Sequence, residues 1–213
     1  RRLNGLGHRF ATQLEYSHVV ETAQINYLVP LSNPSWQQLR YSLGGTRQVL
    51  GSGIAYSTNL GINRNTVLGA WSENQYLNLE HDRSILSTGT TITTLLVPGL
   101  TFSRTVSDNP VYPTHGYHAS LDIRGSSHDL GSDISFLQLR LSSKFIVSFS
   151  ETTRLLLRGE IGATAVNNFS DLPLSQRFYT GGGQTVRGYK YNSIGPLDSS
   201  GNVIGGKDLL VGS

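Results

Sequence analysis

The residue types closest to a binding motif lie late in the 213-residue chain, where Gly181-Gly182-Gly183 precedes Val186-Arg187-Gly188-Tyr189-Lys190-Tyr191. Consecutive glycines suggest a phosphate cradle. A phosphate loop needs Gly-x-x-x-x-Gly-Lys-Ser/Thr between a strand and a helix, whereas here Tyr189 follows Gly188 and no helix is expected. That chemistry is excluded. Arg187 is the more telling residue, because a guanidinium carries five donors in a rigid fork and tolerates burial only beside carboxylate or carbonyl partners. The glycines would let the backbone come close to a wall, and Tyr179, Tyr189 and Tyr191 could pack against it. Two readings stay open from these residues: a flexible connection, or a folded plug inside a lumen.

Other candidate chemistry is sparse. His115 and His118 are three apart, which on a strand puts them on opposite faces and rules out joint metal ligation. Glu80-His81-Asp82 reads as a solvated strand end or turn with no nucleophile to serve. There is no Gly-x-Ser-x-Gly elbow, and without cysteine there is no thiol nucleophile, disulfide or Cys-based zinc site. The expectation is a non-enzyme without cofactor or metal. A net charge of +3 arises from scattered Lys and Arg, so nucleic acid is not an expected partner. With no methionine and no leader pattern at Arg1-Arg2-Leu3-Asn4, the residues are expected to be part of a longer chain.

The elements that must position the glycine-rich stretch are strands. Charged residues make up 15% of the chain, against about 25% in soluble domains. No apolar run reaches the length of a transmembrane helix, but alternating strands can cross a membrane without one. Alternation is clearest in the second half. Tyr117, Ala119, Leu121 and Ile123 oppose His118, Ser120, Asp122 and Arg124. Leu137, Leu139, Leu141, Phe145 and Val147 oppose Gln138, Arg140, Ser142, Lys144 and Ser148. Leu155, Leu157, Ile161, Ala163 and Ala165 oppose Arg154, Leu156, Arg158, Glu160 and Thr164.

Mid-strand charge on a single row fits a water-filled lumen better than a soluble sandwich. Asp122, Arg124, Arg140, Lys144, Arg158 and Glu160 are therefore expected to face the lumen. Weaker strands are read at 8–17, 25–29, 39–43, 54–62, 71–81 and 91–105, the last interrupted at Pro98-Gly99, and a tenth begins near Lys207. Aromatics such as Tyr16, Tyr27, Trp36, Trp71, Tyr117 and Phe149 fall near strand ends, where membrane interfaces collect them. The expected fold is all-β: an antiparallel transmembrane β-barrel, partial, of about ten strands with no significant helix.

Val186-Arg187-Gly188-Tyr189, with Arg177-Phe178-Tyr179-Thr180-Gly181-Gly182 before it and Lys190-Tyr191-Asn192-Ser193-Ile194-Gly195-Pro196 after it, resembles the outer-membrane assembly-barrel superfamily. That superfamily includes the BamA, TamA and two-partner secretion branches. Leu96-Val97-Pro98-Gly99, Ser103-Arg104-Thr105 and Gly131-Ser132-Asp133-Ile134-Ser135-Phe136 look most like the TamA branch. The resemblance implies a sixteen-stranded barrel in a Gram-negative outer membrane. Residues 167–206 would be its sixth extracellular loop, folded into the lumen. Val186, Arg187, Gly188 and Tyr189 would form a latch supported by Arg177, Phe178, Gly181 and Gly182. POTRA domains, the first strand and the last four strands would lie outside residues 1–213, and so would the acid that pairs with Arg187. The implied task is insertion or secretion of β-barrel proteins such as autotransporters, without ATP. Expected partners are outer-membrane lipid, substrate proteins and a TamB-like inner-membrane-anchored protein. A passive outer-membrane pore or a two-partner secretion transporter is the alternative.

Overall fold

A computed structural model describes residues 7–33, 35–50, 52–86, 89–150, 152–183 and 185–213. Ten antiparallel strands form one open sheet in strict sequence order. They are β1 (Arg9–Tyr16), β2 (Val20–Pro30), β3 (Gln37–Leu50), β4 (Gly53–Leu68), β5 (Trp71–Leu86), β6 (Gly89–Ser107), β7 (His115–Ser126), β8 (Phe136–Ser148), β9 (Arg154–Val166) and β10 (Asp208–Gly212). Helical structure among the described residues is confined to 3-10 turns at His128–Leu130, Phe169–Asp171 and Leu174–Gln176.

Register carries the two rows from strand to strand. Opposed residues in an antiparallel pair share a face, and the pairs Ile123↔Leu139 and Leu139↔Ala163 run along one face. Arg124↔Gln138 and Gln138↔Thr164 run along the other. Leu137, Leu139, Leu141, Phe145, Leu157 and Ile161 are all exposed, as a lipid-facing row must be. Part of the second face is covered by the connection between β9 and β10, chiefly by Leu172, Leu174 and Gln176, and this face is called the inner face below.

The inner face is not uniformly polar. Toward the end that bears the long loop, Leu95, Val97, Ile134 and Phe136 form a buried apolar shelf with Leu172 of the loop. Leu50 and Ala55 make a second shelf with Leu174.

Two sequence expectations are corrected. β5 does not stop at His81 but continues to Leu86, and Glu80-His81-Asp82 is no solvated end: Asp82 is only 2% exposed. The alternation set by Leu77 and Leu79 simply continues, with Glu80, Asp82 and Ser84 on the inner row. β6 likewise runs through Pro98-Gly99 without a break. Thr94 and Leu96 point their N–H groups away from β5, to Asp133 Oδ2 and the Ser132 hydroxyl. By the same alternation the donor that Pro98 lacks falls on the β7 side, where the ladder begins only at Gly99. Gly99 is required by its partner, since a Cβ there would stand 2.2 Å from the Tyr76 ring.

Candidate functional site: a loop docked on the inner wall

The connection from β9 to β10 starts at the loop-bearing end and descends along β9. Phe178 is buried over Gly162, Arg158 Nη1 donates to the Gly183 carbonyl at 3.4 Å, and Val186 and Arg187 lie beside Arg154 and Leu156 around a cavity. The chain then returns, bridged at Thr180↔Ile194, Leu197↔Val203 and Phe178↔Gly206. Asp198 holds the returning turn by accepting from the Ser200 and Asn202 amides at 2.9 and 2.8 Å, and these backbone donors lower its pKa.

The contacts that fix the loop to the wall cluster at residues 172–178. Leu172 and Leu174 are each 1% exposed, and burying a leucine side chain contributes about 1.5–3 kcal/mol. Directly beside them, residues 174–176 lie across the inner row of β5: the Leu174 amide donates to the Ser84 hydroxyl at 3.3 Å, and Gln176 Nε2 donates to Glu80 Oε2 at 2.6 Å. The Gln176 carbonyl accepts from Gln138 Nε2 at 2.8 Å, and the same Nε2 reaches Thr164 Oγ1 at 2.8 Å. Two glutamines, Gln176 and Gln138, thus link the loop to β5, β8 and β9.

Arg177 organises the loop itself. Its Nε donates to the Leu172 carbonyl at 2.9 Å, its Nη groups to the Ile204 and Ser170 carbonyls at 3.1 and 3.2 Å, and the guanidinium lies 4.5 Å from the Phe169 ring centroid. Among the described residues it meets no carboxylate, and burial lowers its pKa. Tyr179 donates to the Ile204 carbonyl at 3.2 Å, and burial pushes its phenol up to about 12. Gly181 and Gly182 have φ of +112° and +103°, which favour glycine, and the Gly181 amide donates to Thr185 Oγ1 at 2.9 Å.

Arg187, Gly188 and Tyr189 are exposed, and so is Tyr191. Among the described residues Arg187 makes no hydrogen bond or ion pair. The six residues expected in the lumen all lie on the inner row. Asp122 accepts from the Tyr76 and Thr101 hydroxyls at 2.9 and 2.7 Å and lies 3.9 Å from Arg124, which donates to Gln138 Oε1 at 2.8 Å. Arg140 pairs with Glu160. Lys144 and Arg158 are opposed in register and line a cavity with His118.

Sequence reasoning missed Gln176, Gln138, Glu80, Gly162 and the two leucines. For Glu80 the signal was available in the unbroken alternation of β5. The glutamines gave none, because an amide forms hydrogen bonds equally well with water, wall or loop.

The Omp85 superfamily domain model matches residues 2–213, nearly the whole sequence. The chain belongs to the Omp85 superfamily. The outer membrane protein assembly factor BamA of Neisseria meningitidis is 28% identical over 96 residues, which are 45% of this chain and 12% of that protein. BamA of Nitratidesulfovibrio vulgaris is 30% identical over 106 residues, 49% of this chain and 13% of its own length. The aligned stretches are thus a small part of either relative. The crystal structure of BamA from Haemophilus ducreyi lacking POTRA domains 1-3 superposes with a TM-score of 0.81 over 98% of this chain and 47% of that one, at 14% identity. The ten strands are therefore part of an Omp85 barrel, and the protein resides in a Gram-negative outer membrane.

Proposed function

We propose that this Omp85 barrel is the membrane part of an assembly or translocation factor, in which the loop of residues 167–206 is an internal latch. The supporting observation is the docking of Leu172–Phe178 through Gln176 onto Glu80 and Gln138. A loop inserted this deeply obstructs an open channel and stiffens the wall around it. The BamA relatives are named as assembly factors, which supports insertion of outer-membrane proteins as the task. The sequence likeness to the TamA branch supports the narrower reading: autotransporter-type substrates and a TamB-like partner. The factor is no enzyme. Pairing of the substrate's own strand edges drives insertion without ATP. By the family resemblance, Arg187 takes a carboxylate partner on a later strand, beyond Ser213.

Full-length Gln176→Ala and Arg187→Ala test this. Removing Gln176 leaves the Glu80 carboxylate short of a donor, a loss of about 1–3 kcal/mol. Faster migration of unheated samples should weaken, and autotransporter assembly in cells should fall several-fold for both variants. If assembly and heat-modified mobility stay at wild-type levels, the latch reading fails. A change confined to conductance in planar bilayers would favour a passive pore.

A further inference from the structure

Arg104 on β6 stands out on the outward face. Its register partners are Trp71 on β5 and Ala119 on β7, so it shares the lipid-facing row with Leu100, Phe102 and Val106. Its guanidinium carbon lies 5.1 Å from the Trp71 ring centroid and 5.8 Å from that of Tyr117. Among the described residues Arg104 has no ion pair and no hydrogen bond, and its Nε is buried without a partner. Glu73, the next outward residue on β5 after Trp71, instead accepts from Gln75 at 2.7 Å. Arg64, outward on β4, has no such aromatic bracket.

Height along the strands completes the picture. Trp71 is the first residue of β5, and Arg104 is three residues from the end of β6 at Ser107. Exposed Trp36, Leu68 and Phe149 mark the same end of the sheet, opposite the long loop. This is the level at which aromatic side chains meet lipid headgroups. An unpaired guanidinium is costly against acyl chains but favourable at the phosphate layer. Two aromatic faces hold the cation by quadrupole attraction and fix its orientation. The terminal nitrogens remain to form a forked pair with phosphate oxygens, a geometry that arginine matches and lysine does not.

We propose that Arg104, Trp71 and Tyr117 form a headgroup site for the phosphodiester of a glycerophospholipid in the leaflet at the end of the barrel opposite the long loop. The site depends on the barrel crossing the outer membrane and not on the assembly role, so either reading can fail alone.

Native mass spectrometry of the full-length protein, titrated with dioleoylphosphatidylglycerol or with dioleoylglycerol, which lacks the phosphate, tests it. Wild type should bind the phospholipid about five- to tenfold more tightly, as one cation at a headgroup contributes about 1 kcal/mol. Arg104→Gln should abolish that preference while keeping heat-modified mobility, and Arg104→Lys should keep part of it. Equal binding of the two lipids by wild type, or undiminished phospholipid affinity in Arg104→Gln, would overturn the site. Should Arg104→Gln not fold, Arg104→Lys decides: partial loss is expected, and wild-type affinity would overturn the proposal.

Discussion

Gly162 shows how one absent side chain positions the loop. It lies on the inner row of β9 opposite Arg140, and a Cβ there would come within 2.5 Å of the Phe178 ring. Gly162→Val should therefore expel Phe178 and cost about 1–3 kcal/mol by overpacking. Phe178→Ala in the same chain should recover much of that loss, because the two changes share one contact. Denaturant unfolding of the single and double variants measures it, and strict additivity would show that the ring and the glycine are not coupled. At this scale the sequence was half legible. Phe178 and Arg177 drew attention through their neighbours in the glycine-rich stretch, yet the opposing glycine carries no mark of its own. Arg177 could not be read as a carbonyl-bound loop organiser, since its partners are backbone atoms contributed by Leu172, Ser170 and Ile204.

Among the elements, strands with period-two patterning were the most legible. β7, β8 and β9 show the rows that the alternation demands, because their outward positions are nearly all apolar and their inward ones polar. β6 was obscured by Leu95-Leu96-Val97: the inner wall is apolar beneath the loop, so both faces are hydrophobic there and periodicity vanishes. The loop's route was hidden for a related reason, because Leu172 and Leu174 find their shelf only after distant strands have paired. The faces make a direct prediction. Leu139 is 43% exposed on the outward row of β8 and Arg140 pairs with Glu160 on the inward one. Leu139→Arg should destabilise the barrel by about 2–4 kcal/mol if it lies near the bilayer midplane, and Arg140→Leu should cost clearly less. Folding titrations into lipid vesicles compare the two, and equal losses would contradict the assignment.

For the whole molecule, ten strands in sequence order form part of an Omp85 barrel wall whose inner face holds a folded loop. Family membership was legible in Val186-Arg187-Gly188-Tyr189, a local motif. The wall contacts were not, because the motif lies exposed beside β9 while the anchoring residues precede it at Leu172–Phe178. That docking defines the latch, and Ser84 with Leu174 reports it most directly. The Leu174 amide lies 3.3 Å from the Ser84 hydroxyl, so cysteines at the two positions would stand side by side. Ser84→Cys with Leu174→Cys in the full-length protein, in a background otherwise free of cysteine, should oxidise to an intramolecular disulfide in intact outer membranes. The single variants should resist a membrane-impermeant maleimide added from outside. Absence of the disulfide together with rapid labelling of Leu174→Cys would contradict a loop docked on the inner wall.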